Sequence, residues 1–263
     1  MTPLSRRLIA IVTLAAASAL ALPVESRAQN RGAPPPAPPP PKAAPVDLTG
    51  YWVAVVNEDW RFRMVTPPKG DYRGVPITQE ALKIVNAWDP AADAAAGNEC
   101  KSYGAAAIMR VPGRIRITWQ DDNTLRLETD AGTQTRLFRF GPPSTPSAPG
   151  ARTWQGDSAA RWERPGGGRG APPGAAVSGA SMTVVTTNMR AGYLRKNGVP
   201  YSEDARVTEH FDMSPFPGGT QVLVVTTIVD DPRYLTQPYI LSSHFKKEAD
   251  GSKWDPTPCS ATW

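Results

Sequence analysis

After position 47 the chain consists of short alternating segments separated by turn residues, and this pattern constrains the fold more than any other feature. In RIRITW, Ile115, Ile117 and Trp119 alternate with polar residues, as in a strand with one buried face. Turn residues at 121–124 and 130–132 separate this segment from two further alternating segments. The pattern continues to the end of the chain and gives roughly eight to ten strands. We therefore expect a mainly β protein, an antiparallel up-and-down barrel whose closure leaves no exposed sheet edge.

One segment has helical periodicity instead. In ITQEALKIVNAWDPAADAAAG, Thr78 is a candidate N-cap, and Leu82 and Val85 lie three residues apart on one apolar face. Pro90 is expected to break or kink this helix. The segment RFRMV before it alternates charged and apolar residues and predicts another strand. The barrel is therefore expected to carry one main helix near the N-terminal part of the domain.

The N-terminal segment differs in composition from the rest and predicts export. Arg6 and Arg7 precede a long apolar run, and the small residues of SRA allow cleavage after Ala28. Residues 1–28 are therefore predicted to be a signal peptide, and the site of action to be the periplasm or the extracellular space. The sequence does not separate general secretion from twin-arginine export. No stable membrane span is expected after cleavage, because the apolar run is marginal in length and polarity.

The next part of the chain is rich in proline. Residues 29–46 predict an extended tether without a core of its own. Residues 47–263 are then expected to form a single barrel-like domain. A Gly/Pro-rich stretch at 163–180 interrupts the strand pattern and is predicted to be a flexible insertion.

We expect the mature chain to begin at Gln29, because the cleavage site follows Ala28. N-terminal sequencing of the exported protein tests this expectation. Recovery of an intact Met1 on membrane-bound material would contradict it and would indicate an uncleaved anchor.

Two sets of motifs resemble known families. Gly50-Tyr51-Trp52, on the first predicted strand, resembles the G-x-W signature of lipocalin-like barrels. The second half resembles a group of exported bacterial β-rich proteins with no assigned activity. Their motifs match Trp154 to Trp162, Val184-Val185, Gly198 to Glu203, Val207 to Phe211, and Asp230 through Pro238. The resemblance covers about Asp47 to Cys259 apart from the insertion, and implies a lipocalin-like, secreted or periplasmic barrel without assigned catalytic residues.

Charge and composition exclude several functions. The formal net charge is +5, but three arginines and one glutamate give segment 1–28 a charge of +2, which leaves about +3. That charge is too small to indicate nucleic-acid binding, and no basic stripe with interleaved aromatic residues is present. Two cysteines and two histidines are too few for a zinc finger or ribbon. We therefore expect no metal site, no cofactor and no nucleic-acid partner.

The two cysteines, Cys100 and Cys259, predict one disulfide, because an exported protein with an even number of cysteines favours pairing. The bond would tie the loop after the helix to the C-terminal tail. Two separate thiols are the alternative.

Glu209 is the candidate catalytic residue. It alternates with Val207 and Phe211, so it is expected to face the barrel interior, where burial favours its neutral form. Such a carboxyl group suits general acid or base catalysis. The alternative is a structural ion pair with a buried arginine, for which the candidates are Arg61, Arg63 and Arg195.

Four residues are candidates for ligand contact at the mouth of a cavity: Trp60, Arg61, Tyr234 and Tyr239. Aromatic residues on strands also serve as core or rim packing. Barrel topology without a complete catalytic motif favours a binding protein for a hydrophobic small molecule. The alternatives are a cofactor-free isomerase, lyase or hydrolase acting on a lipophilic substrate, and an envelope structural or assembly protein. The oligomeric state is open.

Overall fold

The alternating segments form a closed barrel. We analysed a computed structural model, which describes residues 44–141, 151–163 and 181–262. The predicted signal peptide, nearly all of the tether and all but the first residue of the predicted insertion lie outside the described residues. The described strands are β1 (Gly50–Val55), β2 (Arg114–Asp121), β3 (Thr124–Thr129), β4 (Thr135–Phe140), β5 (Asp157–Glu163), β6 (Ser181–Thr187), β7 (Gly192–Arg195), β8 (Val199–Tyr201), β9 (Arg206–Pro215), β10 (Gln221–Asp230) and β11 (Tyr239–Lys247).

Nine strands close the barrel in the order β1-β11-β10-β9-β6-β5-β4-β3-β2, and β7 and β8 form a separate hairpin. The prediction of a mainly β closed barrel is confirmed. The prediction of a uniformly antiparallel up-and-down order is wrong at one pair, because β4 and β5 run parallel. Neighbouring strands joined by a tight turn must run antiparallel. The connection between β4 and β5 is longer, so β5 can start at the same end of the barrel as β4.

Two short helices precede β2. α1 (Gln79–Ala87) begins at Thr78, whose side chain accepts a hydrogen bond from the backbone N–H of Ala81, so the predicted N-cap is confirmed. α2 (Pro90–Ala95) follows directly, and Asp89 caps it. Pro90 therefore begins a second helix instead of only ending the first, since proline is well tolerated in the first helical turn.

The segment RFRMV is not a strand, and that prediction is wrong. Trp60–Phe62 forms a single 3-10 turn, and Arg63 to Val65 continue as turn and bend. The barrel closes between β1 and β2 without this segment, so no strand edge is left for it to pair with.

The inner face of the barrel is packed with apolar side chains. Trp52, Phe138, Phe211 and Phe245 are at most 1% exposed and belong to one contiguous cluster with the Leu, Ile, Val and Met residues of the facing strands. At one end, called the far end here, the rings of Trp119, Phe140 and Trp162 follow one another at centroid distances of 5.7 and 5.3 Å. The described part of the interior is thus filled by side chains.

The opposite end, called the mouth, is where β1 ends and β11 begins. Segment 56–112 and the β7–β8 hairpin lie over it, and a second apolar cluster joins them to Val207, Val229 and Tyr239 of the barrel. The predicted Cys100–Cys259 disulfide is present, with the two Cα atoms 5.1 Å apart. Within the described ranges, no helix combines the length and apolar character needed to cross a membrane.

Candidate functional site

Glu209 faces inward, as its alternation with Val207 and Phe211 predicts, and its side chain is fully buried. It accepts two hydrogen bonds from Arg136 on β4, with Nη1–Oε1 and Nη2–Oε2 distances of 2.8 and 2.6 Å. Arg136 Nη2 also donates to the hydroxyl of Thr186, at 3.2 Å. The partner is therefore none of the three arginines considered from the sequence. A carboxylate held on both oxygens in this way is a structural ion pair inside the barrel.

The main opening near the mouth is an arginine-rich cleft of about 480 Å³ between the segment 58–74 and the first residues of β11. We call it the arginine cleft. Five arginines and two acidic residues line it, together with an apolar wall. The basic residues are Arg61, Arg63, Arg73, Arg110 and Arg195; the acidic ones are Glu58 and Asp59; the larger apolar ones are Phe62, Tyr239, Ile240 and Leu241.

The hairpin turn between β7 and β8 positions one wall of the arginine cleft. Arg195 ends β7, and the turn residues Lys196, Asn197 and Gly198 follow it. Gly198 has φ +82°, and a Cβ atom there would lie 2.4 Å from the ring of Trp88, so this position requires glycine. Asn197 donates to the carbonyl oxygens of Pro68 and Asp71, which fixes the loop that carries Arg73.

The three buried arginines of the cleft are held by backbone carbonyl groups. Arg63 Nε donates to the carbonyl of Arg110 at 2.8 Å, and Arg110 Nη1 donates to the carbonyl of Leu194 at 3.2 Å. Arg195 Nη1 donates to the carbonyl of Arg73 at 2.8 Å. Arg195 also lies over the ring of Phe62, 4.0 Å from its centroid. These contacts fix the guanidinium groups in place before any ligand arrives.

The two acidic residues of the cleft occupy part of this cationic surface. Glu58 pairs with Arg63, and Asp59 pairs with Arg110 and lies 3.8 Å from Arg195. Asp59 adopts a left-handed backbone conformation, with φ 52°, which is unusual for a residue other than glycine. Both carboxylates lie on the same short loop. The loop therefore places two carboxylate groups against the arginines.

The acidic residues do not satisfy all of the buried donors. In the part of the chain that the structure describes, Arg63 Nη2 and Arg195 Nε have no hydrogen-bond partner, although their side chains are only 1% and 2% exposed. Five arginines and two acids leave the lining with a formal charge of +3. Burial lowers the pKa of Arg63, and Glu58 only partly offsets this effect. The excess of arginines over acidic residues in the lining favours an additional anion in the cleft.

The structure brings two of the four predicted ligand-contact residues, Arg61 and Tyr239, to the arginine cleft. Trp60 is 63% exposed and does not line it. Tyr234 is a buried residue of the loop between β10 and β11, and its carbonyl accepts a hydrogen bond from the N–H of Thr78. Glu209 does not line the cleft either.

Sequence reasoning missed the buried Arg110 as a cleft residue and considered Arg63 and Arg195 only as partners of Glu209. Arg110 belongs to a short 3-10 turn, where no periodicity marks a side chain as inward-facing. The one usable signal was the concentration of arginines in RFRMV, close to Glu58 and Asp59.

Among the described residues, no group of three or more His, Cys, Asp or Glu side chains is arranged to hold a metal ion. His210 contacts the hydroxyl of Thr183, and His244 contacts Glu58, so the two histidines lie in separate environments.

Comparison with protein-family models, with curated proteins and with solved structures finds no match to this chain. The two motif resemblances therefore stay predictions.

Proposed function

We propose that this protein is a lipocalin-like binding protein that acts outside the cytoplasm and holds a small amphiphilic anion in the arginine cleft. The observation that carries the proposal is the lining of formal charge +3, in which five arginines meet only two acidic residues. The apolar wall of Phe62, Tyr239 and Leu241 suits a hydrophobic body behind an anionic head group. The predicted signal peptide and the disulfide support an oxidising compartment.

This proposal places the ligand differently from the hydrophobic cavity expected from the sequence. The described interior is filled by Trp52, Phe138, Phe211 and Phe245, so a ligand inside the barrel would have to displace them. The arginine cleft lies at the mouth and is open to solvent. A hydrophobic molecule with an anionic group would use both its apolar wall and its guanidinium groups.

Dodecanoate is expected to bind the full chain, whereas dodecylamine, with the same tail and the opposite charge, is not. Arg110→Gln should weaken dodecanoate binding by about 10- to 100-fold, because a hydrogen bond to a charged group contributes about 1.5–3 kcal/mol. Asp59→Asn should strengthen binding, since it removes the carboxylate that competes for Arg110 and Arg195. Isothermal titration calorimetry measures all four affinities. Equal affinity for the amine and the carboxylate would contradict the proposal.

A matched pair of exposed arginines provides a control that does not disturb the core. Arg73 lines the cleft and pairs with Asp71; Arg161 lies on β5 and pairs with Glu163, also two residues away. Their side chains are 68% and 61% exposed. Arg73→Gln should weaken dodecanoate binding, whereas Arg161→Gln should leave it unchanged. The same loss in both variants would indicate a general charge effect and not a site.

The filled interior favours one other function, a structural or assembly role in the envelope. In that role the barrel serves as a rigid body and the arginine cleft as a set of internal ion pairs. Failure of dodecanoate and of every other anionic amphiphile to bind would favour this second function. The enzyme alternative loses its candidate acid or base, because Arg136 holds both oxygens of Glu209.

A further inference from the structure

We propose that segment 55–72, beside the arginine cleft, docks onto an anionic lipid bilayer, so that the cleft opens at the membrane surface. The proposal rests on the proposed function, since a bilayer is where an amphiphilic anion is found. The bilayer is thus the proposed partner, and the amphiphilic anion is the proposed ligand. The observations that carry it are the placement of exposed apolar side chains and the charge around them.

Exposed apolar side chains are concentrated on one side of the molecule. Seven large apolar residues are exposed in the described ranges, and six of them lie in segment 55–72 or at the start of β11. The four most exposed of the six range from 54% to 63%: Trp60, Met64, Val65 and Ile240. Clustering of this kind on a surface marks an interaction site, whereas single exposed apolar residues are ordinary.

Three of these residues adjoin the arginine cleft. Ile240 lines it, and Trp60 and Met64 are the immediate chain neighbours of the lining residues Arg61 and Arg63. The backbone N–H of Met64 donates to the carbonyl of Trp60 at 2.8 Å, so one tight turn carries both exposed side chains. The exposed side chains of Trp60, Met64 and Ile240 therefore lie next to the cleft opening.

The charge on this face complements an anionic bilayer. The cleft lining has a formal charge of +3, and two of its arginines, Arg61 and Arg73, are exposed. Lys69 adds an exposed cation on the same segment, and Asp71, the partner of Arg73, adds one anion. Tryptophan prefers the boundary between lipid head groups and acyl chains, and basic residues are attracted to anionic head groups. A combination of short apolar insertion and basic residues is the usual requirement for reversible binding to a membrane surface.

Flotation with lipid vesicles tests the proposal. The full chain should float with vesicles that contain phosphatidylglycerol and phosphatidylcholine, and should stay in solution with vesicles of phosphatidylcholine alone. Raising the salt concentration to screen the charges should weaken the interaction. The double variant Trp60→Ser/Met64→Ser should weaken vesicle binding at least tenfold and leave dodecanoate affinity unchanged, because neither residue lines the cleft.

Phe216 provides the matched control. It is 61% exposed, close to Trp60 at 63%, but it lies at the turn between β9 and β10, at the far end of the barrel. Phe216→Ser should therefore float as the wild type does. Loss of flotation in Phe216→Ser but not in Trp60→Ser/Met64→Ser would overturn the proposed face.

Two other results would overturn the membrane proposal without touching the proposed function. A wild-type protein that binds dodecanoate but never floats with anionic vesicles would show that the ligand comes from solution. A dimer in light scattering that Trp60→Ser/Met64→Ser dissociates, again without flotation, would assign the apolar residues to self-association. Flotation without dodecanoate binding would instead keep the docking surface and reject the cleft as the ligand site.

Discussion

Glu209→Gln is expected to lower the free energy of unfolding by about 3–5 kcal/mol, because it leaves the charge of Arg136 buried without its counter-ion. Both side chains are 0% exposed, so water cannot replace the missing carboxylate. For a domain of this size the loss corresponds to a decrease of roughly 6–20 °C in the melting temperature. Thermal and urea denaturation of the two proteins measure it.

Glu163→Gln is the matched control, since Glu163 pairs with Arg161 on the same strand, β5, but is 42% exposed. Exposed ion pairs contribute about 0–1 kcal/mol, so this variant should melt close to the wild type. The double variant Glu209→Met/Arg136→Met should recover much of the stability lost in Glu209→Gln, because it removes both charges together. An unchanged melting temperature in Glu209→Gln would contradict the buried placement and would indicate a strand register shifted by one residue.

Reduction of the Cys100–Cys259 disulfide is expected to cost about 4–5 kcal/mol of stability. The bond joins positions 159 residues apart, and the chain-entropy account gives long closed loops the larger effect. Denaturation with and without reductant measures the difference, and non-reducing peptide mapping should recover the two cysteines joined. The bond also joins segment 56–112, which lies over the mouth, to the C-terminal tail, so reduction should loosen both.

The double variant Cys100→Ser/Cys259→Ser separates the bond from other effects of the reductant. Its stability should match that of the reduced wild type and should not respond to reductant. Equal stability of the oxidised and reduced wild type would contradict the prediction. So would recovery of two free thiols from protein exported into an oxidising compartment.

Local patterns were sufficient for elements whose structure depends on near neighbours in the chain. Alternation placed Val207, Glu209 and Phe211 on the inner face, because the two faces of a strand follow from side-chain direction alone. The cap at Thr78 was also predictable, since an N-cap contact spans only three residues. The disulfide followed from having two cysteines and an expected oxidising compartment.

Apart from the disulfide, pairings between distant residues were not predictable. Asp231 follows β10, and its carboxylate accepts a hydrogen bond from the Ser202 hydroxyl at 2.8 Å. This contact links two of the motifs on which the family resemblance was based, Gly198 to Glu203 and Asp230 through Pro238. Glu209 could have met any of several arginines, and the barrel order, which places β4 and β9 on opposing parts of the wall, selected Arg136.

The amino-acid sequence by itself determined the strand periodicity, the inward position of Glu209 and the closed β architecture, because each depends on contacts over a few residues or on removing sheet edges. Only the tertiary structure decided the parallel β4–β5 pair, the partner of Glu209 and the arginine cleft. The cleft assembles Arg63, Arg110 and Arg195 from three separate segments. The spacing of these arginines in the sequence does not indicate that they meet, because their approach depends on how segment 56–112 and the β7–β8 hairpin fold over the mouth.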